Sequence, residues 1–244
     1  MIPDMKPGTT AIKHPTPILL AAGMSQRMGG LNKLLLPING VPMVRQVALT
    51  LAAFADIPPV VVLGHEATQV AAALDGITLT MFTNAQYQSG QMSSVTAGLI
   101  AAGQAADYMI CLADLPLLKV EDCAALCAAH KKAGVGQITV PVQREDSMFA
   151  RRGNPIVIPA SARHKIIKGG TNLGCRGLLN NNPDLIYPFD SCADGFYVDI
   201  DTQDAFCDTT GQKPDAQMIA SFLTGETNGT CRRNHNRRPT GKGL

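Results

Sequence analysis

Arg27 and Lys33 flank a glycine pair, Gly29 and Gly30, in the segment PILLAAGMSQRMGGLNKLLLP (17–37), just after an apolar run that ends in Gly23. A glycine-rich turn lets successive backbone N–H groups face a ligand, and two fixed cations beside it complete what a phosphate chain needs. The spacing excludes two better-known phosphate loops. A Walker A loop needs Gly-Lys followed by Ser or Thr, and the dinucleotide fingerprint needs GxGxxG, whereas Gly23 is followed by Met24. An ordinary glycine turn with solvated Arg and Lys stays open as the alternative.

Three aspartates are the second set. Asp114 ends the apolar run DYMICLAD and is followed by Leu-Pro; Asp199 and Asp201, in FYVDIDTQD, lie two apart and so on one face if that stretch is a strand. Magnesium takes oxygen ligands, keeps several waters and uses one or two carboxylates with substrate phosphates, a demand that Asp114 with Asp201 fits. Helix capping is the competing reading: Asp114 at the next turn, Asp201 with Asp204 as an N-cap and its partner.

Other residues carry less. Ser93 and Ser94 open a helix-like stretch and can cap it or contact a ligand. Arg151 and Arg152 precede Gly153 and a strand-like run, where they can meet an acidic acceptor or remain solvated. Cys123, Leu126, Cys127 and His130 recur at helical spacing, which a buried helix face explains better than a zinc site. No serine or cysteine triad is evident.

The elements that must position these residues follow from apolar patterning. PILLAAG, PPVVVLG, DYMICLADLP, GQITVPV, NPIVIP and FYVDID read as strands; HEATQVAAAL, SSVTAGLIAAG and EDCAALCAAHKKA read as helices, as does the stripe Val44, Val47, Ala48, Leu51 and Ala55. Their alternation predicts βαβ units and a mainly parallel sheet covered on both faces. From about Ala133 the chain is richer in Asn, Gly and Pro, which predicts edge strands and loops.

With 244 residues, 45% hydrophobic, the chain can bury the core of one domain, here 17–223, between a flexible lead (1–16) and an arginine-bearing tail (224–244) expected to be disordered. A net charge of +2 gives no electrostatic footprint for nucleic acid or membrane. No apolar run nears the roughly 20 residues of a membrane span, and prolines interrupt the N-terminus where a signal peptide would be apolar, so a cytoplasmic location is expected. Seven cysteines without CxxC spacing predict reduced core thiols.

LLAAGMSQRMGGLNKLLLPINGVPM, NAQYQSGQMSSVTAGL, LADLPLL, RRGNPIVIP and DIDT, in that order, resemble the MobA-like nucleotidyltransferases, and most closely the molybdenum cofactor cytidylyltransferases. The resemblance spans Pro17 to about Phe206. It implies a Rossmann-like three-layer α/β fold of the nucleotide-diphospho-sugar transferase type, and transfer of a nucleotide from CTP or GTP to the terminal phosphate of a molybdopterin cofactor with release of pyrophosphate.

By the same resemblance, Leu20, Ala21, Ala22 and Gly23 line the nucleotide, Arg27 and Lys33 hold the triphosphate, Gly90 and Ser94 lie near base or ribose, and Asp114 and Asp201 bind Mg²⁺. Arg151, Arg152, Gly153, Asn154 and Arg176 are the expected acceptor contacts, and a molybdenum hydroxylase is the implied client. Leu20-Ala21-Ala22-Gly23 resembles the cytidylyl form rather than the guanylyl LAGG. Two departures stand out: Asn172, in GTNLGCRGLL, replaces the acid of GDxGxR, and Asn154 stands where many relatives have histidine. Competing readings are a guanylyl or sugar-1-phosphate nucleotidyltransferase, and a non-catalytic pterin or nucleotide carrier, which would need neither a triphosphate grip nor a metal pair. A dinucleotide-dependent oxidoreductase lacks its fingerprint.

Overall fold

The computed structural model describes residues 14–144, 151–168 and 183–224. β1 (Thr16–Ala21) is buried along its whole length. Ile18 and Leu20 face one core while Leu19 and Ala21 face another, so a strand covered on both sides reads as an unbroken apolar run. After the glycine loop come a two-stranded hairpin, β2 (Pro37–Ile38) and β3 (Val41–Pro42), then α1 (Met43–Phe54), β4 (Val60–Leu63), α2 (Ala67–Ala73), β5 (Thr80–Thr83), α3 (Gln91–Ala101), β6 (Asp107–Leu112) and α4 (Val120–His130). The second half supplies β7 (Ile138–Gln143), β8 (Arg151–Arg152), β9 (Ile156–Pro159), α5 (Ala160–Lys168), β10 (Ile186–Asp190), α6 (Gln203–Thr210) and α7 (Ala216–Thr224).

The main sheet is ordered β10-β7-β9-β6-β1-β4-β5, with β8 paired to β7. β1 is parallel to β4 and β6, β4 to β5, and β7 to β10; β9 is antiparallel to both its neighbours. The sheet is therefore mixed but mostly parallel. The reversal arises because β8 and β9 double back along β7, as antiparallel neighbours do without a crossover helix.

Helices α1, α2 and α4 pack on one face and α3 and α5 on the other, which makes three layers. In α1, Val44, Val47, Ala48 and Leu51 are buried as their spacing predicts; Ala55 lies past the helix end, and Phe54 is buried instead. Each such Val or Leu contributes about 1.5–3 kcal/mol by leaving water. A third, smaller core joins Met28, Leu36, Ile38 and Met43 to Ile200 and Phe206, tying the segment after Asp199 to the glycine loop.

Three expectations change. FYVDID is not a strand: a 3-10 turn covers Asp194–Phe196, and Gly195, Phe196 and Tyr197 are buried in succession, which breaks the alternation a half-buried strand requires. β5 and β10 escaped the apolar search because both are edge strands. All four β5 residues are exposed, and β10 carries Pro188, which an edge tolerates. Asp201 is not an N-cap, since Thr202 caps α6 by accepting from Ala205 N–H at 3.1 Å. The tail beyond Thr224 and the lead before His14 lie outside the described residues; Thr16 already belongs to β1. Among the described residues no helix is long and apolar enough to cross a membrane.

Candidate active site

Strand register brings the chemistry to one edge. Ala21 pairs with Leu63, Leu63 with Thr83 and Leu20 with Leu112, so the carboxyl ends of β1, β4, β5 and β6 stop together. Hydrogen bonds continue past the strands: Ala113 N–H donates to Leu20 O at 3.2 Å, Asn84 N–H to Leu63 O at 2.8 Å, and Ile200 N–H to Asp114 O at 3.1 Å. The last of these docks the Asp199–Asp201 segment against Asp114. The result is a cleft of about 440 Å³, within the usual range for a small-molecule site.

The glycine loop forms one wall. Ser25, Gly29 and Gly30 have φ of 50°, 63° and 90°, and at Gly29 a Cβ would stand 2.7 Å from Gln203 Nε2. Gln203, at the start of α6, donates to Met28 O and closes the loop from outside. Gly23 itself is not left-handed. A Cβ there would enter open space beside the cleft, so glycine at this position keeps the backbone accessible rather than relieving a turn. The loop ends in a 3-10 turn whose first residue is Lys33: Lys33 N–H donates to Ser25 Oγ and Leu34 N–H to Asn32 Oδ1, both at 3.1 Å.

Lys33 and the aspartates form one charged knot. Lys33 Nζ donates to Asp114 Oδ2 and to Asp201 Oδ1, each at 2.5 Å, and Arg27 Nη2 donates to Asp201 Oδ2 at 2.5 Å. Lys33 is only 8% exposed. Its burial alone would lower its pKa, but Asp114 and Asp201 outweigh that and raise it above 10.5. Burial likewise opposes ionisation of Asp201, yet Lys33 and Arg27 prevail and hold its carboxyl below the usual range. Asp199, on the same cleft, is pushed up by burial and by the charges of Asp201 and Asp114. Asp114 Oδ1 is buried and has no hydrogen-bond partner among the described residues.

The opposite wall starts where α3 points its N-terminus at the cleft. Gly90 and Ser94 line it, together with Gln91 and Tyr87, which the sequence pattern does not single out. Asn84 was missed as well: its Nδ2 donates to Ser93 Oγ at 2.8 Å and Ser94 Oγ at 3.1 Å, and its Oδ1 accepts from Gln86 N–H, which fixes the amide orientation. A polar residue immediately after an edge strand was the available signal, obscured because β5 itself was missed. Gly64 explains the tight fit at this end. A Cβ there would lie 2.7 Å from both Ala22 Cβ and Tyr87 Cβ.

Leu20, Ala22, Gly23, Lys33, Asp114 and Asp201 thus meet at one cleft. Ala21 is fully buried behind it, and Arg27 reaches it from an exposed position through Asp201. Of the expected acceptor residues, the four that are described, Arg151, Arg152, Gly153 and Asn154, do not line it. Arg151 donates to Tyr197 O at 2.5 Å and lies 5.5 Å from that ring's centroid, so its guanidinium is engaged in the fold. Arg152 is exposed on β8. Gly153 is required by packing, since a Cβ would come 2.7 Å from Phe196 O, and Asn154 N–H donates to the same oxygen. Arg176 and Asn172 lie outside the described residues. Cys123, Leu126 and Cys127 are core, and His130 Nδ1 is 2.7 Å from Thr139 Oγ1.

Residues 17–185 match the family profile of the MobA-like NTP transferase domain. The chain is 30% identical over 196 residues to nicotine blue oxidoreductase of Paenarthrobacter nicotinovorans, covering 80% of this chain and 96% of that protein. A nucleotidyl transferase from Methanothermobacter shares the fold with a TM-score of 0.66 at 20% identity, covering 85% of this chain and 99% of that one. A manganese complex of the Mycobacterium tuberculosis protein Rv0371c does so with a TM-score of 0.61 at 20% identity, covering 82% and 99%.

Proposed function

The chain belongs to the MobA-like NTP transferase family, and on that premise we propose that it transfers CMP from CTP to the terminal phosphate of a molybdopterin-type cofactor and releases pyrophosphate. The observation that carries the reading is the Lys33–Asp114–Asp201 knot, set beside the glycine loop at the carboxyl edge of β1 and β6. In open α/β sheets this edge is where ligands bind.

Charge decides what else is needed. Arg27 and Lys33 face Asp114, Asp199 and Asp201, and with every group ionised the cleft repels a triphosphate unless a cation comes with it. Asp114 fits that cation: its Oδ1 is buried without a partner, and a hard carboxylate oxygen is what Mg²⁺ prefers. Among the described residues no three His, Cys, Asp or Glu side chains close around a metal, so Asp114 and Asp201 would hold the ion with help from the phosphates. The manganese complex of the mycobacterial relative supports a divalent cation in this fold. When bound, the ion would neutralise charge on the triphosphate.

The chain's own residues do the rest. A phosphate monoester has its second pKa near 6 and attacks as a dianion, so a cleft with no histidine among the described residues meets no obstacle. Rate must come from holding that phosphate in line with the α-phosphorus and from Lys33 and Arg27 stabilising the departing pyrophosphate.

The small residues at this end of the cleft support CTP, whose pyrimidine base is the smaller. Ser94 lines it, its hydroxyl accepting from Asn84. The buried Ala22 methyl, against Gly64 and Tyr87, also narrows this end.

A second reading follows from the Paenarthrobacter relative, which is named an oxidoreductase. One panel separates the readings: pyrophosphate release from CTP and GTP with Mg²⁺ and either a molybdopterin or a sugar-1-phosphate acceptor, beside NADH and NADPH oxidation. The expected result is acceptor-dependent pyrophosphate release, faster with CTP. Acceptor-independent release, or reductant consumption without nucleotide cleavage, overturns the assignment. With the expected result, a molybdenum hydroxylase is the natural recipient of the product.

A further inference from the structure

Lys33 Nζ lies between Asp114 Oδ2 and Asp201 Oδ1, which are therefore within about 5 Å of each other, and it contacts both oxygens directly. A divalent cation that took the free Asp114 Oδ1 and the Asp201 oxygen that Lys33 holds, at about 2.0–2.1 Å for Mg²⁺, would stand within about 5 Å of Nζ. Two cations that close repel strongly, because the side chain is buried and water screens it poorly. The backbone beneath is fastened, with Lys33 N–H on Ser25 Oγ and Leu34 N–H on Asn32 Oδ1, so Lys33 can yield only by swinging its side chain. Such a swing needs somewhere for the ammonium to go, and the phosphates of an incoming nucleotide offer it.

We propose that Lys33 is a built-in placeholder for the cation: it holds Asp114 and Asp201 together in the nucleotide-free protein, excludes the free metal ion, and moves to phosphate only when nucleotide arrives. Metal and nucleotide then bind with positive coupling, and the two carboxylates are never left facing each other bare. The inference rests on the reading that Asp114 and Asp201 take the cation.

The test is Mn²⁺ alone, titrated without nucleotide and followed by the electron paramagnetic resonance signal of free Mn²⁺, on the wild type, Lys33→Met and Lys33→Gln. Both neutral variants are expected to bind Mn²⁺ about 5- to 150-fold more tightly than the wild type and, unlike it, to melt at a higher temperature when Mn²⁺ is added. Lys33→Arg, which keeps a cation there, is expected to go on excluding the ion, and adding Asp114→Asn to Lys33→Met is expected to abolish the gain. Equal Mn²⁺ affinity in wild type and both neutral variants overturns the proposal, as does a gain that survives Asp114→Asn. Nucleotide binding to the wild type with Mn²⁺ is measured beside it. A wild type that binds no nucleotide while the neutral variants gain Mn²⁺ removes the nucleotidyl-transfer reading and leaves the placeholder standing.

Discussion

Two groups of chemistry-bearing side chains lie against the same sheet, one over its face and one at its carboxyl edge, and behave in opposite ways. On α4, Cys123, Cys127 and His130 have ligand chemistry at helical spacing, yet Cys123 and Cys127 are buried among Leu51, Leu126 and Val157. Burial pushes the Cys123 thiol up to about 12 and raises that of Cys127; it lowers the His130 pKa, against the pull of Asp107. These groups are held neutral. At the carboxyl edge, Lys33 and Asp201 are also removed from water, but each has an opposite charge in contact and both are held ionised. The contrast shows that residue type decides little until its surroundings supply a partner.

The comparison breaks or sharpens under substitution. Asp114→Asn should lower turnover about 100-fold or more with little change in melting temperature, because Lys33 keeps Asp201; steady-state pyrophosphate release and calorimetry measure the two. Leu126→Ala should do the reverse, costing about 2–5 kcal/mol of stability in denaturant titration while leaving kcat/KM of the folded fraction unchanged. Arg27→Ala, whose side chain is 65% exposed, should weaken nucleotide binding about tenfold, as loss of one charge-assisted hydrogen bond does, with hardly any effect on stability.

Smaller effects come from protons. Lys33 has a folded pKa above its unfolded 10.5, so its stabilising contribution is complete below pH 10.5 and is lost as pH climbs through the higher folded value. The melting temperature of the wild type should therefore fall more steeply above that pH than that of Lys33→Met. Smallest of all, iodoacetamide at pH 8 should modify exposed Cys192 and leave Cys123 untouched in the folded protein, as read by mass spectrometry.

Much of this was legible in sequence wherever a residue's role is local. The runs behind β1, β4, β6, β7 and β9 are apolar because both faces of the sheet are covered, and a glycine loop after the first strand with Asp114 after the β6 run placed one edge of the cleft. What escaped depends on distant partners. Lys33 between two carboxylates 81 and 168 residues away has no local signature, and Arg151 looked available for an acceptor because its partner, Tyr197, comes 46 residues later. Asp199 and Asp201 do face one cleft, although the segment that presents them is held by core packing of Ile200 rather than by a strand ladder.

The central claim is nucleotidyl transfer from the knot of Lys33, Asp114 and Asp201, and its most direct test follows radiolabelled α-phosphate from CTP into a molybdopterin acceptor with Mg²⁺. The account predicts label in the acceptor with one pyrophosphate released per transfer, and neither with Asp114→Asn. Unlabelled acceptor despite CTP cleavage, or transfer unaffected by Asp114→Asn, would contradict it.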